Sequence, residues 1–191
     1  MKSGQQIHGL TLEEKLGEGG AGEVWRGKHN KLNKSVAIKI LHPQLASNSQ
    51  LQQGFVQEAQ IMSDLKHPNI LNAIDFFTED DLTCMVMPYV AGGSLTDLLE
   101  KHGRLSVDMA QTIMQCLLDA LDYAHRHGVI HRDIKPSNIL LSEQHPEALK
   151  VTDFGISKIM GEKRYTETRT LKGTIEYMSP EQIKTPKAIN H

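Results

Sequence analysis

From Ile7 to about Leu45, hydrophobic and polar positions alternate with a period near two: first around residues 10–16, then through EVWRGKH, then through SVAIKILH, with the turn-like GEGGAG and NKLNK between them. That spacing predicts three antiparallel strands. Over residues 51–65 the period changes, and Leu51, Phe55, Ala59, Met62 and Leu65 fall on one helical face. This predicts a single helix packed on the strands. HPN at residues 67–69 breaks the helix, and two further strand-like runs follow, residues 70–77 and 82–90, joined by the polar TEDD.

Beyond Gly92 and Gly93 the character becomes helical. SLTDLLEKHG offers Ser94 as a cap and Gly103 as a stop. Ser106 caps a longer helix whose Ala110, Ile113, Met114, Leu117, Leu121 and Ala124 form one apolar stripe, ending at Gly128. A mainly β half therefore precedes a mainly α half, with the boundary near residues 91–94, so the segment before it reads as a hinge.

Composition narrows the class without choosing a chemistry. A chain of 191 residues, 39% hydrophobic and 23% charged, suits a soluble protein with one sizeable core or two small lobes. A net charge of −2 provides no general attraction to nucleic acid or an anionic membrane, so any phosphate recognition must be local. No run approaches the ~18 apolar residues needed to span a bilayer, and MKSGQQIHGL lacks the apolar block of a secretory signal. A cytoplasmic location follows as the expectation. Cys84 in an apolar run and Cys116 in a helical pattern read as reduced, partly buried thiols.

Chemistry enters with LGEGGAGEV, where Gly17, Gly19 and Gly22 form G-x-G-x-x-G. Glycines let backbone amides approach phosphate oxygens, although a ligand-free glycine hairpin has the same pattern. A dinucleotide-binding fold would require a helix directly afterwards, and EVWRGKH reads as strand, which excludes that oxidoreductase reading. VAIK places Lys39 one strand after the glycines, within reach of phosphate oxygens or else simply solvated. Glu58 on the following helix is spaced either to pair with that lysine or to lie on the surface. HRDIKPSNIL gathers Asp133, Lys135 and Asn138 within six residues. His125, His127 and His131 lack a completing cysteine or carboxylate for zinc and read as packing and helix-end residues.

Six ordered motifs, LGEGGAGEV, VAIK, Glu58 before HPNI, HRDIKPSN, DFG from Asp153, and SPE from Ser179, resemble the eukaryotic-type protein kinase family, in its bacterial serine/threonine form, from about residue 9 onward. The resemblance implies an α+β, two-lobed protein-kinase-like fold. Its N-lobe, about residues 9–90, would be a five-stranded antiparallel sheet with one helix; its C-lobe portion, about 91–191, would be mainly helical and incomplete. It implies transfer of the γ-phosphoryl group of ATP to Ser or Thr hydroxyls of protein substrates, with Mg²⁺.

The roles implied by the resemblance are specific. Asp133 orients the hydroxyl and accepts its proton, Lys135 meets the transferred phosphoryl group, and Lys39, paired with Glu58, holds ATP phosphates. Asn138 and Asp153 supply oxygens to Mg²⁺. Residues of the glycine segment, Leu16, Gly17, Glu18, Gly19, Gly20, Ala21, Gly22, Glu23 and Val24, cover the nucleotide. Met87 is the gatekeeper, Pro88 and Val90 bond the base edge through their backbone, and Leu16, Val24, Ala37 and Leu140 sandwich the ring. Phe154 packs under the helix carrying Glu58. Thr174 resembles the serine/threonine branch, while Thr166, Thr168 and Thr170 among basic residues read either as phosphorylation sites that would order the intervening loop through Arg132 or as a solvated threonine-rich loop.

The sequence departs from the family in stopping ten residues after Glu181, before further C-lobe helices, and in having SPE where APE is commoner. An uncovered stripe on the helix after Ser106 would expose several hundred Å² at roughly 25 cal/mol per Å². Three expectations follow: a fragment of a longer kinase, a short ATP-binding module with little catalysis that engages partners, or a chain that self-associates over the stripe.

Overall fold

The computed structural model describes residues 1–46, 48–142, 148–154 and 175–184. Contacts divide the chain into a first unit, Met1–Ser63 with Asn72–Tyr89, and a second, Asp64–Leu71 with the residues from Val90 onward.

In the first unit, strands β1 (Gln6–Ile7), β2 (Leu10–Glu18), β3 (Gly22–His29), β4 (Lys34–Leu41), β5 (Asp75–Glu79) and β6 (Leu82–Pro88) form an antiparallel sheet in the order β1-β2-β3-β4-β6-β5. Among the described residues the sheet thus has six strands rather than the five expected. The additional β1 pairs Ile7 with Leu10 across His8 and Gly9, both at positive φ (47° and 74°), the conformation a two-residue hairpin requires. The strand expected over residues 70–77 begins only at Asp75. Asn72 Nδ2 and the Ala73 N–H both donate to the Met62 carbonyl, at 3.2 and 3.1 Å, so they close the end of helix α2 (Ser49–Asp64) and do not join the ladder.

One face of the sheet carries a core of Ile7, Leu10, Leu12, Trp25, Val36, Ile38, Ile40, Phe77, Cys84 and Val86. Register places Val24, Ala37, Lys39, Met85 and Met87 on the opposite face, because Val24 pairs with Lys39, Lys39 with Met85, and Ala37 with Met87. Helix α2, which follows the short α1 (Pro43–Ala46), lies on that side and buries Phe55, Glu58, Ala59 and Met62 at its predicted spacing. Its Phe55 ring lies 5.8 Å from that of Phe76.

In the second unit, α3 (Leu95–His102) starts at Ser94. The Ser94 hydroxyl accepts the Asp97 N–H, and the Asp97 carboxylate accepts the Ser94 N–H at 2.7 Å, so two orphan donors are satisfied reciprocally. Gly103, at φ 74°, closes the helix as predicted. Ser106 caps α4 (Val107–Arg126), and Gly128 follows at φ 73°. The predicted stripe on α4 is only partly buried. Ile113, Leu117, Ala120 and Ala124 are inside, Leu121 is half-buried, and Ala110 and Met114 face outward with Val107 and Leu118. Ala120 takes the place expected for Leu121, since the buried line i, i+4, i+7, i+11 runs from Ile113 to Ala124.

Two short strands, β7 (Ile139–Leu140) and β8 (Lys150–Val151), pair antiparallel, and Val151 also receives Ile70 in a parallel bridge. The residues expected to be in a first-unit strand, Ile70 and Leu71, are thereby drawn into the second unit. The last described residues form a 3-10 turn at Ile175–Tyr177 and a short helix α5 (Pro180–Lys184).

Candidate functional site

The three patterned glycines have different surroundings. A Cβ on Gly22 would sit 2.0 Å from the Ile40 carbonyl oxygen, so this glycine lets β3 pack against β4. A Cβ on Gly17 or Gly19 would meet nothing within 4 Å, which leaves open space over the backbone at those positions. The turn between β2 and β3 is closed by the Gly19 N–H donating to the Gly22 carbonyl at 2.9 Å. Glu18 and Glu23 have engaged side chains: Lys15 Nζ lies 2.6 Å from Glu18 and 3.0 Å from Glu23, and Trp25 Nε1 donates to Glu23 at 2.8 Å. The Trp25 bond first, then that from Lys15, holds the Glu23 carboxyl below its ordinary range.

On the sheet face toward α2, Lys39 Nζ donates to Glu58 Oε1 at 2.9 Å, with Lys39 7% and Glu58 1% exposed. The spacing had left this pairing open, and the fold makes it. An ammonium fixed by a buried carboxylate has lost its rotamer freedom. Ala37 and Met87 are buried on the same face, Val24 is half-buried, and Leu16 and Pro88 are exposed. The first unit thus brings Val24, Ala37, Lys39 and Met87 onto adjoining strands.

The second unit assembles the HRD loop around His131, which is 1% exposed. Its Nε2–H donates to the Thr152 carbonyl at 2.8 Å, and its Nδ1 accepts the Asp133 N–H at 3.2 Å. These two bonds set the neutral tautomer, and burial, above all, pushes its pKa down. The ring centroid lies 4.5 Å from that of Phe154, which is fully buried. Arg132 and Asp153 have φ of 64° and 63°, the left-handed region that L residues rarely adopt and that concentrates at functional sites.

Asp133, Lys135 and Asn138 converge on one carboxylate oxygen. Lys135 Nζ lies 2.8 Å from Asp133 Oδ2, and Asn138 Nδ2 donates to the same oxygen at 3.1 Å and to the Asp133 carbonyl at 2.8 Å. The 3-10 turn at Pro136–Asn138 brings Asn138 back to Asp133, so the amide nitrogen of this buried residue is satisfied within the loop. Its backbone carbonyl accepts the Thr152 N–H at 3.0 Å, which ties Asn138 to the residue preceding Asp153. An amide oxygen and one carboxylate make a sparse, all-oxygen donor set. That suits Mg²⁺, which keeps several waters and takes further oxygens from substrate phosphates.

Among the described residues no group of three or more His, Cys, Asp or Glu could hold a metal. His127 donates its Nδ1–H to the Tyr123 carbonyl at 2.8 Å as a helix-end residue. Val90 and Leu140 lie half-buried in the second unit. Gly155, Thr166, Thr168, Thr170 and Thr174 lie outside the described residues.

Two residues not singled out from the sequence contact the motifs. His42, directly after β4, donates its backbone N–H to the Ala21 carbonyl at 3.1 Å, and its Nε2–H to the Gly19 carbonyl at 3.2 Å. Antiparallel register was the available signal, because pairing Gly22 with Leu41 brings residue 42 back to the glycine turn. Gln182 contacts the HRD loop, where its Nε2 donates to the Arg132 carbonyl at 2.6 Å.

A family model described as "Protein kinase domain" matches residues 10–191. The serine/threonine-protein kinase PrkC of Bacillus subtilis is 37% identical over 96% of this chain and 28% of its own length. A Clostridium perfringens protein named "Probable serine/threonine-protein kinase CPE1738" is 40% identical over 88% of this chain and 24% of its own length. A crystal structure of the Mycobacterium tuberculosis PknI kinase domain superposes with a TM-score of 0.66 at 29% identity, covering 82% of this chain and 63% of that one. The chain therefore spans about a quarter of the length of these curated relatives.

Proposed function

This chain belongs to the protein kinase family and has its α+β fold, and from that premise we propose that it transfers the γ-phosphoryl group of ATP to serine or threonine hydroxyls of proteins. The observation that carries the reading is the convergence of Lys135 and Asn138 on Asp133 Oδ2. A carboxylate held this way keeps one oxygen bonded within the protein and has the other to accept a proton from a substrate hydroxyl. Lys135 neutralises the phosphoryl group as it moves, and Lys39, braced by Glu58, holds phosphate oxygens together with the backbone over Gly17 and Gly19. Mg²⁺, held by Asn138 and Asp153, supplies further neutralisation of phosphate charge when bound. Val24, Ala37, Met87, Val90 and Leu140 contact the base. Phosphoryl transfer asks the protein mainly for positioning and charge, which these groups provide.

Incubation with γ-labelled ATP and Mg²⁺, run beside Asp133→Asn, tests the reading. Label on the parent and none on the variant supports it. Nucleotide binding with no transfer by the parent overturns it in favour of a binding module.

The same proposal places the chain in the cytoplasm. Cys84 is buried with its thiol pushed up to about 12 by desolvation, which makes it a poor nucleophile. No helix among the described residues is long and apolar enough to cross a membrane. Self-association through the outward Val107, Met114 and Leu118 of α4 is read out by sedimentation against Leu118→Glu.

A further inference from the structure

The peptide unit linking Arg132 to Asp133 is gripped from both ends. Its N–H donates to His131 Nδ1 at 3.2 Å, and its carbonyl accepts from Gln182 Nε2 at 2.6 Å. Gln182 is itself immobilised. Ser179, Pro180, Glu181 and Gln182 form a capping box at the start of α5, in which the Ser179 N–H donates to Gln182 Oε1 at 2.9 Å and the Gln182 N–H donates to the Ser179 hydroxyl at 3.3 Å. A capping box accepts glutamate or glutamine equally, since only an acceptor oxygen is used. Here the second half of the amide is used as well, and only glutamine has a donor there.

We infer that Gln182 is a positioning residue for phosphoryl transfer: it sets the plane of the peptide preceding Asp133 and makes the orientation of that carboxylate depend on the docking of the SPE turn. The reason lies in Arg132, whose φ of 64° directs its carbonyl away from the course of an ordinary extended loop. A backbone in that region persists only where its surroundings over-determine it, and His131 on one side and Gln182 on the other do so. Turning the peptide rotates the Cα–Cβ bond of Asp133 away from Lys135 and Asn138. The inference rests on the kinase reading above.

The test compares the parent chain with Gln182→Glu, Gln182→Ala and Ser179→Ala. Gln182→Glu keeps the cap but faces the Arg132 carbonyl with an acceptor. It is expected to lower kcat roughly 10- to 100-fold, the scale of a small misplacement of a reacting group, with KM for ATP within about twofold and the melting temperature unchanged. Gln182→Ala shows the same split. Ser179→Ala removes the cap hydroxyl, leaves the Gln182 to Arg132 bond, and retains kcat within about twofold.

Parent kcat in Gln182→Glu, or an equal loss in Ser179→Ala, overturns the inference. Absence of transfer by the parent refutes the kinase reading instead. In that case amide hydrogen exchange at Asp133 decides: it becomes faster in Gln182→Glu, and an unchanged rate overturns the role assigned to Gln182.

Discussion

Removing either member of the Lys39–Glu58 pair should destabilise the first unit far more than removing both. The two groups are 2.9 Å apart with almost no solvent access. At an effective dielectric near 20 their attraction is about 6 kcal/mol, most of it offset by desolvation of both charges. In Lys39→Met, Glu58 loses the Lys39 ammonium and can escape a buried charge by taking up a proton. From an unfolded pKa near 4.3, that limits the penalty at pH 7 to about 3.7 kcal/mol. In Glu58→Leu, Lys39 loses the Glu58 carboxylate and can release its proton, and from 10.4 the limit is about 4.6 kcal/mol. The double variant leaves two apolar side chains and should recover at least about 3 kcal/mol relative to the sum of the singles. The pH dependence has opposite signs: at pH 5 the ceiling for Lys39→Met falls to about 1 kcal/mol, while that for Glu58→Leu rises.

Urea unfolding followed by tryptophan emission provides the assay. Trp25 is the only tryptophan, is buried, and neighbours Val24, whose register partner is Lys39. A coupling energy below about 1 kcal/mol, or penalties that do not change with pH, would refute the account.

The two kinds of patterned glycine should separate in substitution. Gly22→Ala pushes a methyl into the Ile40 carbonyl and should cost about 1–3 kcal/mol in urea unfolding. Gly19→Ala should leave stability within about 0.5 kcal/mol and weaken ATP binding by fluorescence titration. Replacing the cap, Ser94→Ala should cost about 1 kcal/mol, seen as faster exchange of the amides in the first turn of α3. His131 has its folded pKa lowered by burial, so the unfolded chain takes up the proton first. Stability is full above about pH 6.5 and falls below it by about 1.4 kcal/mol per pH unit until the folded pKa is reached. His131→Gln should lose much of that acid slope in melts between pH 5 and 7, with His67, also lowered by burial, accounting for part of the remainder.

The features legible in the amino-acid order are those whose partners lie within one turn of each other. Ser94 with Asp97 and Ser106 with Met109 are caps readable from spacing, and the Asp133, Lys135, Asn138 set is close enough for one loop to gather. Helix α2 and the strands β2 to β4 followed from periodicity, because burial on one side imposes a period of 3.6 or 2 whatever the partner. The tertiary structure decided matters that depend on register between distant segments. Lys39 meets Glu58 across 19 residues, His42 returns to Gly19 across 23, and Gln182 reaches Arg132 across 50. It also diverted Asn72 and Ala73 from a strand to the end of α2, and turned Met114 outward while Ala120 went inside. Local spacing specifies which groups a backbone can present. Which group answers from far along the chain is set only when strands align and helices pack, since that choice is made by shared burial.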